Sequence, residues 1–218
     1  MTSMVRLMGL LVISAAIMFA GTIDSFNGIG TVTTARDIYS DTVAVTSTDG
    51  IRTIFADKTG GATGIALEGT VVAIEDGFFA GSAGAGVSGT TGAIYVDLWD
   101  LSSPTQGLAI DLIHNDLPGS TIAFWISDGT HTATSGQFAL PVIMGGAEGQ
   151  TIIALLGGFS GIGSVNLSAI TSLGFTNSHA VNGDLELDNF RTYVPEPGTY
   201  AMMAAGLLGL YSIRRKRA

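Results

Sequence analysis

The chain has 218 residues, no cysteine and a formal net charge of −9. These figures exclude a disulfide framework, a thiolate nucleophile and a cysteine-ligated zinc, and the acid excess disfavours binding to nucleic acid phosphates. Residues 22–194 hold only four basic residues, Arg36, Arg52, Lys58 and Arg191, against every acid but Glu196, 17 of the 18, so this stretch carries −13; its roughly 175 residues are enough for one domain with a real core.

Residues 1–20 have one charge, Arg6, and from Leu7 to Ile23 the chain is uncharged and apolar. That is the shape of a secretory signal helix, with cleavage expected after Ala20. Met18 is larger than the small residue preferred two positions earlier, and an uncleaved anchor is the alternative. In either case the following residues, 21–194, cross the inner membrane as the domain.

From Thr22 onward, short apolar-alternating stretches are separated by Gly, Asp and Asn. Strands are predicted at Thr42–Thr46 and Ile51–Phe55 around Asp49-Gly50, and at Thr121–Ser127 and Thr130–Thr134 around Asp128-Gly129. Another runs from Asp184 to Phe190 after Asn182-Gly183. Asn-Gly and Asp-Gly supply the positive φ that tight hairpins need. Further strands are expected at 65–68, 71–75, 93–99, 108–113, 138–142 and 151–156. Period-2 alternation puts Ile94, Val96 and Leu98 on one core face and Leu108, Ile110 and Leu112 on another. With a single helical turn near 166–172, capped by Asn166 or Ser168, the reading is all-β. It is an antiparallel two-sheet, jelly-roll-like sandwich flanked by the signal helix and a single C-terminal membrane helix.

The small-residue stretch Ala80–Gly92 contains Gly84-x-Gly86-x-x-Gly89, but a strand follows it where a dinucleotide site needs a helix, so it reads as a mobile loop. His114, His131 and His179 are too far apart in sequence to share a metal at the usual short spacings, and they read as surface or loop residues. Gly158-Phe159-Ser160-Gly161-Ile162 lacks the second glycine of a nucleophile elbow, leaving no catalytic residue to name. Two carboxylates at glycosidase spacing could arise by chance among so many acids. Trp99 and Trp125, with Tyr39 and Tyr95, could stack on sugars, although Trp125 between Phe124 and Ile126 reads more readily as core. Acids on the first and last strands, Asp24, Asp184 and Asp188, could hold a structural calcium with backbone carbonyls. Otherwise they are outward positions of strands that bury Leu185 and Leu187.

The chain ends on Val194-Pro195-Glu196-Pro197-Gly198, an uncharged run to Ile213, and Arg214-Arg215-Lys216-Arg217 before a final alanine. The prolines end the ladder and keep this segment extended. The 16 residues Gly198–Ile213 span about 24 Å as a helix, a marginal membrane span, and the basic cluster behind them stays cytoplasmic. This tripartite tail, residues 195–218, resembles the PEP-CTERM sorting signal of Gram-negative bacteria. The resemblance implies recognition and cleavage by an exosortase in the inner membrane of a producer of extracellular polysaccharide. The opening Asp24-Ser25-Phe26 and closing Leu187-Asp188-Asn189-Phe190, with Thr34-Ala35-Arg36-Asp37-Ile38 between, look like features of such exported proteins and imply a sandwich. The expected product is a cell-surface or matrix protein with a non-enzymatic structural, carbohydrate-binding or ion-binding role. The alternative is an enzyme acting on extracellular polysaccharide through paired carboxylates.

Overall fold

The computed structural model describes residues 21–26, 32–35, 43–49, 51–61, 70–75, 77–84, 86–102, 107–144 and 149–194. The signal segment, Tyr39, the sorting motif beyond Val194 and the basic end lie outside them. Residues Ala20–Tyr193 form one compact unit. Among the described residues no helix is long and apolar enough to cross a membrane.

Among the described residues two seven-stranded antiparallel sheets make the sandwich. Sheet A contains β1 (Thr22–Asp24), β2 (Val32–Ala35), β5 (Thr70–Glu75), β6 (Phe78–Ala83), β8 (Gly107–Asn115), β12 (Gln150–Leu155) and β14 (Asp184–Tyr193). Its order is β12-β8-β14-β6-β5-β2, with β1 also on β14. Sheet B contains β3 (Val43–Asp49), β4 (Arg52–Gly61), β7 (Val87–Trp99), β9 (Thr121–Ser127), β10 (Thr132–Thr134), β11 (Phe138–Ala139) and β13 (Ile170–His179). Its order is β10-β9-β13-β7-β4-β3, with β11 on β9. The helical content of the described residues is three 3₁₀ turns. One of them, Leu167–Ala169, is capped as expected by the Asn166 side chain, which accepts from the Ser168 N–H at 3.3 Å.

Turn chemistry explains the local wiring. Asp49 pairs with Arg52 across the β3–β4 hairpin, and Gly129 at φ 86° turns β9 into β10. Gly77 at φ 85° does the same for β5 and β6, with Glu75 opposite Phe78. Asn182-Gly183 departs from the hairpin expectation. Asn182 has φ 64° and the Gly183 N–H closes a turn on the Ala180 carbonyl at 3.0 Å, but this turn carries the chain from sheet B to sheet A.

The core is aromatic and joins both sheets. Phe79 and Phe190 of sheet A meet Phe175 and Tyr95 of sheet B, with ring centroids 5.1 Å apart for Phe79–Phe175, 5.3 Å for Phe175–Phe190 and 5.4 Å for Tyr95–Phe190. Such tilted and edge-on pairs add to the burial of their area. Leu108, Ile110 and Leu112 face this core, as do Leu185 and Leu187.

Two expectations are corrected. Ala80–Gly92 is not a mobile loop, since most of it belongs to β6 and β7, whose residues alternate buried and half-buried. Its small residues permit close approach: a Cβ at Gly81 would stand 2.7 Å from the Thr91 Oγ1, and one at Gly89 would overlap the Thr70 hydroxyl. The apolar face of β7 is also reversed. Ala93 and Tyr95 point inward, while Val96 and Leu98 are 58% and 73% exposed.

Candidate functional site

The inward position of Tyr95 has a chemical cause. Its hydroxyl donates to the Asp24 Oδ2 at 2.9 Å, and the Arg52 Nη1 donates to the same oxygen at 2.7 Å. The Phe26 N–H caps the other oxygen at 2.7 Å. One carboxylate on β1 thus ties sheet A to two strands of sheet B in the interior, where charges persist only when paired and hydrogen-bonded. Burial first, and then the Asp24 charge, push the Tyr95 pKa well above its ordinary value.

With Tyr95 inward, alternate residues of β7 and its neighbours form the outward face of sheet B. One row across the strands reads Trp125 on β9, Gly174 on β13, Ile94 on β7 and Thr53 on β4. The next reads Ala123, Thr176, Gly92 and Phe55. Both glycines are covered by an aromatic ring from the adjacent strand. A Cβ at Gly174 would stand 2.9 Å from the Trp125 Cζ2, and one at Gly92 would stand 2.5 Å from the Phe55 Cζ. Neither position has room for a side chain, because the Ala93 and Phe175 carbonyl oxygens also crowd the two sites. Two half-buried rings therefore lie against the central strands on the outward face of the sheet, with Thr90, Thr176 and Ser178 along it. This geometry can stack against a flat apolar ligand surface and offer hydroxyls beside it.

Of the described aromatic residues expected from sequence, Trp125 belongs to this face. Its expected core role is corrected, because β9 buries Ile122, Phe124 and Ile126 and turns Trp125 outward. Trp99 packs against the core edge, and Tyr95 is core. Phe55 was missed, although its period-2 place in β4 and the glycine at 92 on the neighbouring strand were visible signals.

The carboxylates expected to hold calcium fall in different places. Asp24 is committed to Arg52 and Tyr95, and Asp188 lies near it on β14, where burial first and then the Asp111 and Asp24 charges raise its pKa. Asp184 is at the far end of β14, its N–H bonded to the Asp116 Oδ1 at 2.7 Å. Among the described residues no group of three or more His, Asp or Glu is placed to hold a metal. Asp111 is gripped by Arg191 through two 2.9 Å bonds, with Thr151 at 2.6 Å and Asn189 at 3.0 Å. Burial raises its pKa, but these bonds outweigh it and the net shift is downward. The outward face of sheet A has a shallow groove of about 300 Å³ with an alanine floor, Ala73 and Ala80, and polar walls at Ser82, His114, Asp184 and Glu186.

The histidines separate. His131 is exposed beside Asp128 at 3.6 Å, His114 is on β8, and His179, expected at the surface, is buried against Thr91 with Nε2 2.7 Å from Oγ1. Desolvation lowers the His179 pKa to about 4, partly offset by the Asp116 charge.

Fold and tail together define an all-β sandwich protein with a sorting tail. Residues 194–217 match the PEP-CTERM protein-sorting motif, so the chain carries the C-terminal signal of an exosortase substrate. None of the curated proteins matches it in sequence. Among solved structures it is similar to the family 11 carbohydrate-binding module of the cellulosomal cellulase Lic26A-Cel5E of Clostridium thermocellum, at 13% identity and TM-score 0.42 over 81% of this chain and 95% of that one. It is also similar to the family 11 module from Clostridium thermocellum in complex with a β-1,3-1,4-mixed-linked tetrasaccharide, at 14% identity and TM-score 0.42 over 80% and 95%. A third is the enzymatically active domain of tailspike protein 4 of bacteriophage CBA120, at 12% identity and TM-score 0.34 over 73% and 20%.

Proposed function

We propose that the exported sandwich is a non-catalytic, jelly-roll-like domain that holds extracellular polysaccharide on the outward face of sheet B. In this reading the tail anchors the precursor in the inner membrane until an exosortase releases it to the cell surface or matrix. One observation carries the reading: Trp125 and Phe55 lie over Gly174 and Gly92 on adjacent central strands, so their rings sit close against the outward face of the sheet. A sugar ring presents an apolar face and a rim of hydroxyls, and an aromatic platform fringed by Thr90, Thr176 and Ser178 complements both. The enzyme alternative needs a free carboxylate pair. Asp188 and Asp111 face each other across β14 and β8, and the Arg191 grip on Asp111 supports a structural role for that pair.

The test is retention of the purified domain, residues 21–194, on the producer's own polysaccharide, with an assay for new reducing ends. Retention without new ends is expected, and Trp125→Ala should weaken it by about 2 kcal/mol, or roughly thirtyfold, as for a central aromatic anchor. Unchanged retention in both Trp125→Ala and Phe55→Ala would move the site off sheet B. Release of reducing ends would replace the binding reading with the enzyme.

A further inference from the structure

Beside the two rings the outward face of sheet B changes character. Ile94 stands in the row of Gly174 and Trp125, and Val96, about 7 Å further along β7 on the same side, is 58% exposed. Leu98 follows at 73%, the most exposed large hydrophobic side chain among the described residues. The Ile51 carbonyl accepts from the Val96 N–H at 2.9 Å, and Ser172 of β13 pairs with Val96 from the other side. Beyond that pair the register slips by one residue, since Ile170 faces Trp99, and the extra residue makes a bulge in β7. Bulges re-aim the side chains around them. Here the side chain left in solvent is Leu98.

Charge and size limit what can cover this aliphatic strip. Among the described residues no Lys or Arg stands on the outward face of sheet B: Arg52 and Lys58 are buried, and Arg191 holds Asp111 on sheet A. Asp97 and Asp100 are exposed close to Leu98 in the chain, and residues 22–194 carry −13. An anionic polymer is repelled here with no cation to receive it, and a second copy of the same acidic domain is repelled likewise. Val96, Leu98 and the half-exposed Ile51 present on the order of a few hundred square ångströms, the size of a functional patch on a monomer and short of the roughly 800 Å² per partner that a stable dimer buries.

An unsubstituted sugar ring suits the platform but not the strip. Its hydroxyls have Thr176, Ser178 and Thr90 around the rings, whereas over Val96 and Leu98 they would exchange water for aliphatic carbon and gain no hydrogen bond. A methyl group in the same place gains from burial, by about fourfold in affinity for each one covered. An acetyl ester carries that methyl. Its carbonyl oxygen needs a donor, and the Ser172 hydroxyl is the one paired with Val96 in the register.

We infer that Val96 and Leu98 form an acetyl-binding extension of the aromatic platform, so that the ligand of sheet B is an uncharged polysaccharide bearing O-acetyl groups. The inference rests on the platform reading above and adds the substituent that the ligand carries. Trp125 and Phe55 hold the sugar ring whatever its substituents. Val96 and Leu98 select the acetylated ring over the bare one.

The test compares matched forms of one polymer. The producer's own polysaccharide is stripped of esters in mild alkali, and portions of it are then re-acetylated with acetic anhydride or carboxymethylated. Affinity electrophoresis of the protein purified from its host measures binding to each form. The re-acetylated form should bind at least fourfold more tightly than the stripped form, and the carboxymethylated form more weakly than either. Val96→Ser combined with Leu98→Ser should bring the ratio of the first two within twofold of unity, and Leu98→Ser alone should lower it part of the way; both positions are exposed, so the melt should not move. Trp125→Ala should weaken binding to both forms and keep their ratio. Equal affinity of the unmodified protein for the stripped and re-acetylated forms, or a preference for the carboxymethylated one, would overturn the inference and leave the platform standing. A ratio that survives the double serine change would also overturn it. So would a dimer in solution that the serine changes dissociate, which would give the strip to a second copy. Binding to none of the three forms would overturn the platform reading, and this inference with it.

Discussion

Acidification should destabilise this domain through His179. The ring is buried between the sheets, its Nε2 on the Thr91 hydroxyl, and desolvation holds its pKa at about 4 against an ordinary 6.5. Between those values the unfolded chain takes up a proton that the folded chain refuses, so stability falls as pH falls through about 6.5 and levels off below about 4. At 1.36 kcal/mol per unit, the linkage works out to about 2 kcal/mol lost by pH 5 and about 3 kcal/mol by pH 4. That is a large part of the 5–15 kcal/mol typical of a domain. Asp188 acts in the opposite sense, because a carboxyl with a raised pKa becomes less unfavourable as it protonates. Urea unfolding of residues 21–194, followed by tryptophan fluorescence between pH 7.5 and 4.5, measures the sum, and His179→Gln in the same buffers removes only the histidine part. The wild type should lose about 2 kcal/mol more than the variant on moving from pH 7.5 to 5. Parallel pH profiles for the two proteins would refute the buried, neutral histidine.

Asp24→Ala removes the acceptor that Arg52 and the Tyr95 hydroxyl share, and should lower stability by about 1–3 kcal/mol in the same urea assay, the cost of leaving the buried hydroxyl unsatisfied. Because Asp24 is committed to that pair and Asp184 lies at the other end of β14, millimolar Ca²⁺ should leave the melting temperature unchanged; a rise that Asp188→Ala abolishes would restore the calcium site expected from sequence. Intact-mass analysis of the mature protein from its native host should find the C-terminus between Pro195 and Gly198, and a host lacking its exosortase should keep the chain through Ala218 in the membrane fraction. Recovery of Arg214 to Ala218 on surface-exposed protein in the unmodified host would point to a plain anchor instead.

The turns were the most legible part of the sequence, because a positive φ has few residues that can supply it. Asp49-Gly50 and Asp128-Gly129 mark real hairpins, and Asp76-Gly77 was an equally good signal. A dipeptide reports a sharp reversal but says nothing about which sheet receives the next strand, and for that reason Asn182-Gly183 misled: it turns the chain from one layer to the other. The glycine-rich stretch misled for a related reason. A residue without a side chain has no period-2 signature to show, yet between two close strands it is the residue that fits. At Gly81 and Gly89 the space a Cβ would need is already taken by Thr91, His179 and Thr70.

The site was hidden by a choice between two faces of β7. Ile94, Val96 and Leu98 make the more hydrophobic set, and alternation alone sends them inward. The opposite set wins because Ala93 and Tyr95 satisfy the interior in a way that a count of apolar residues cannot see. Ala93 leaves room beside the core phenylalanines, while Tyr95 brings a ring for Phe190 and a hydroxyl for Asp24. That hydroxyl needs a partner once it is buried, and its partner is 71 residues away on a three-residue strand. The same bond therefore fixes three things together. It sets the register face of β7, it ties the entry strand to both sheets, and it turns Ile94 outward into the row with Gly174 and Trp125 and leaves Val96 and Leu98 exposed.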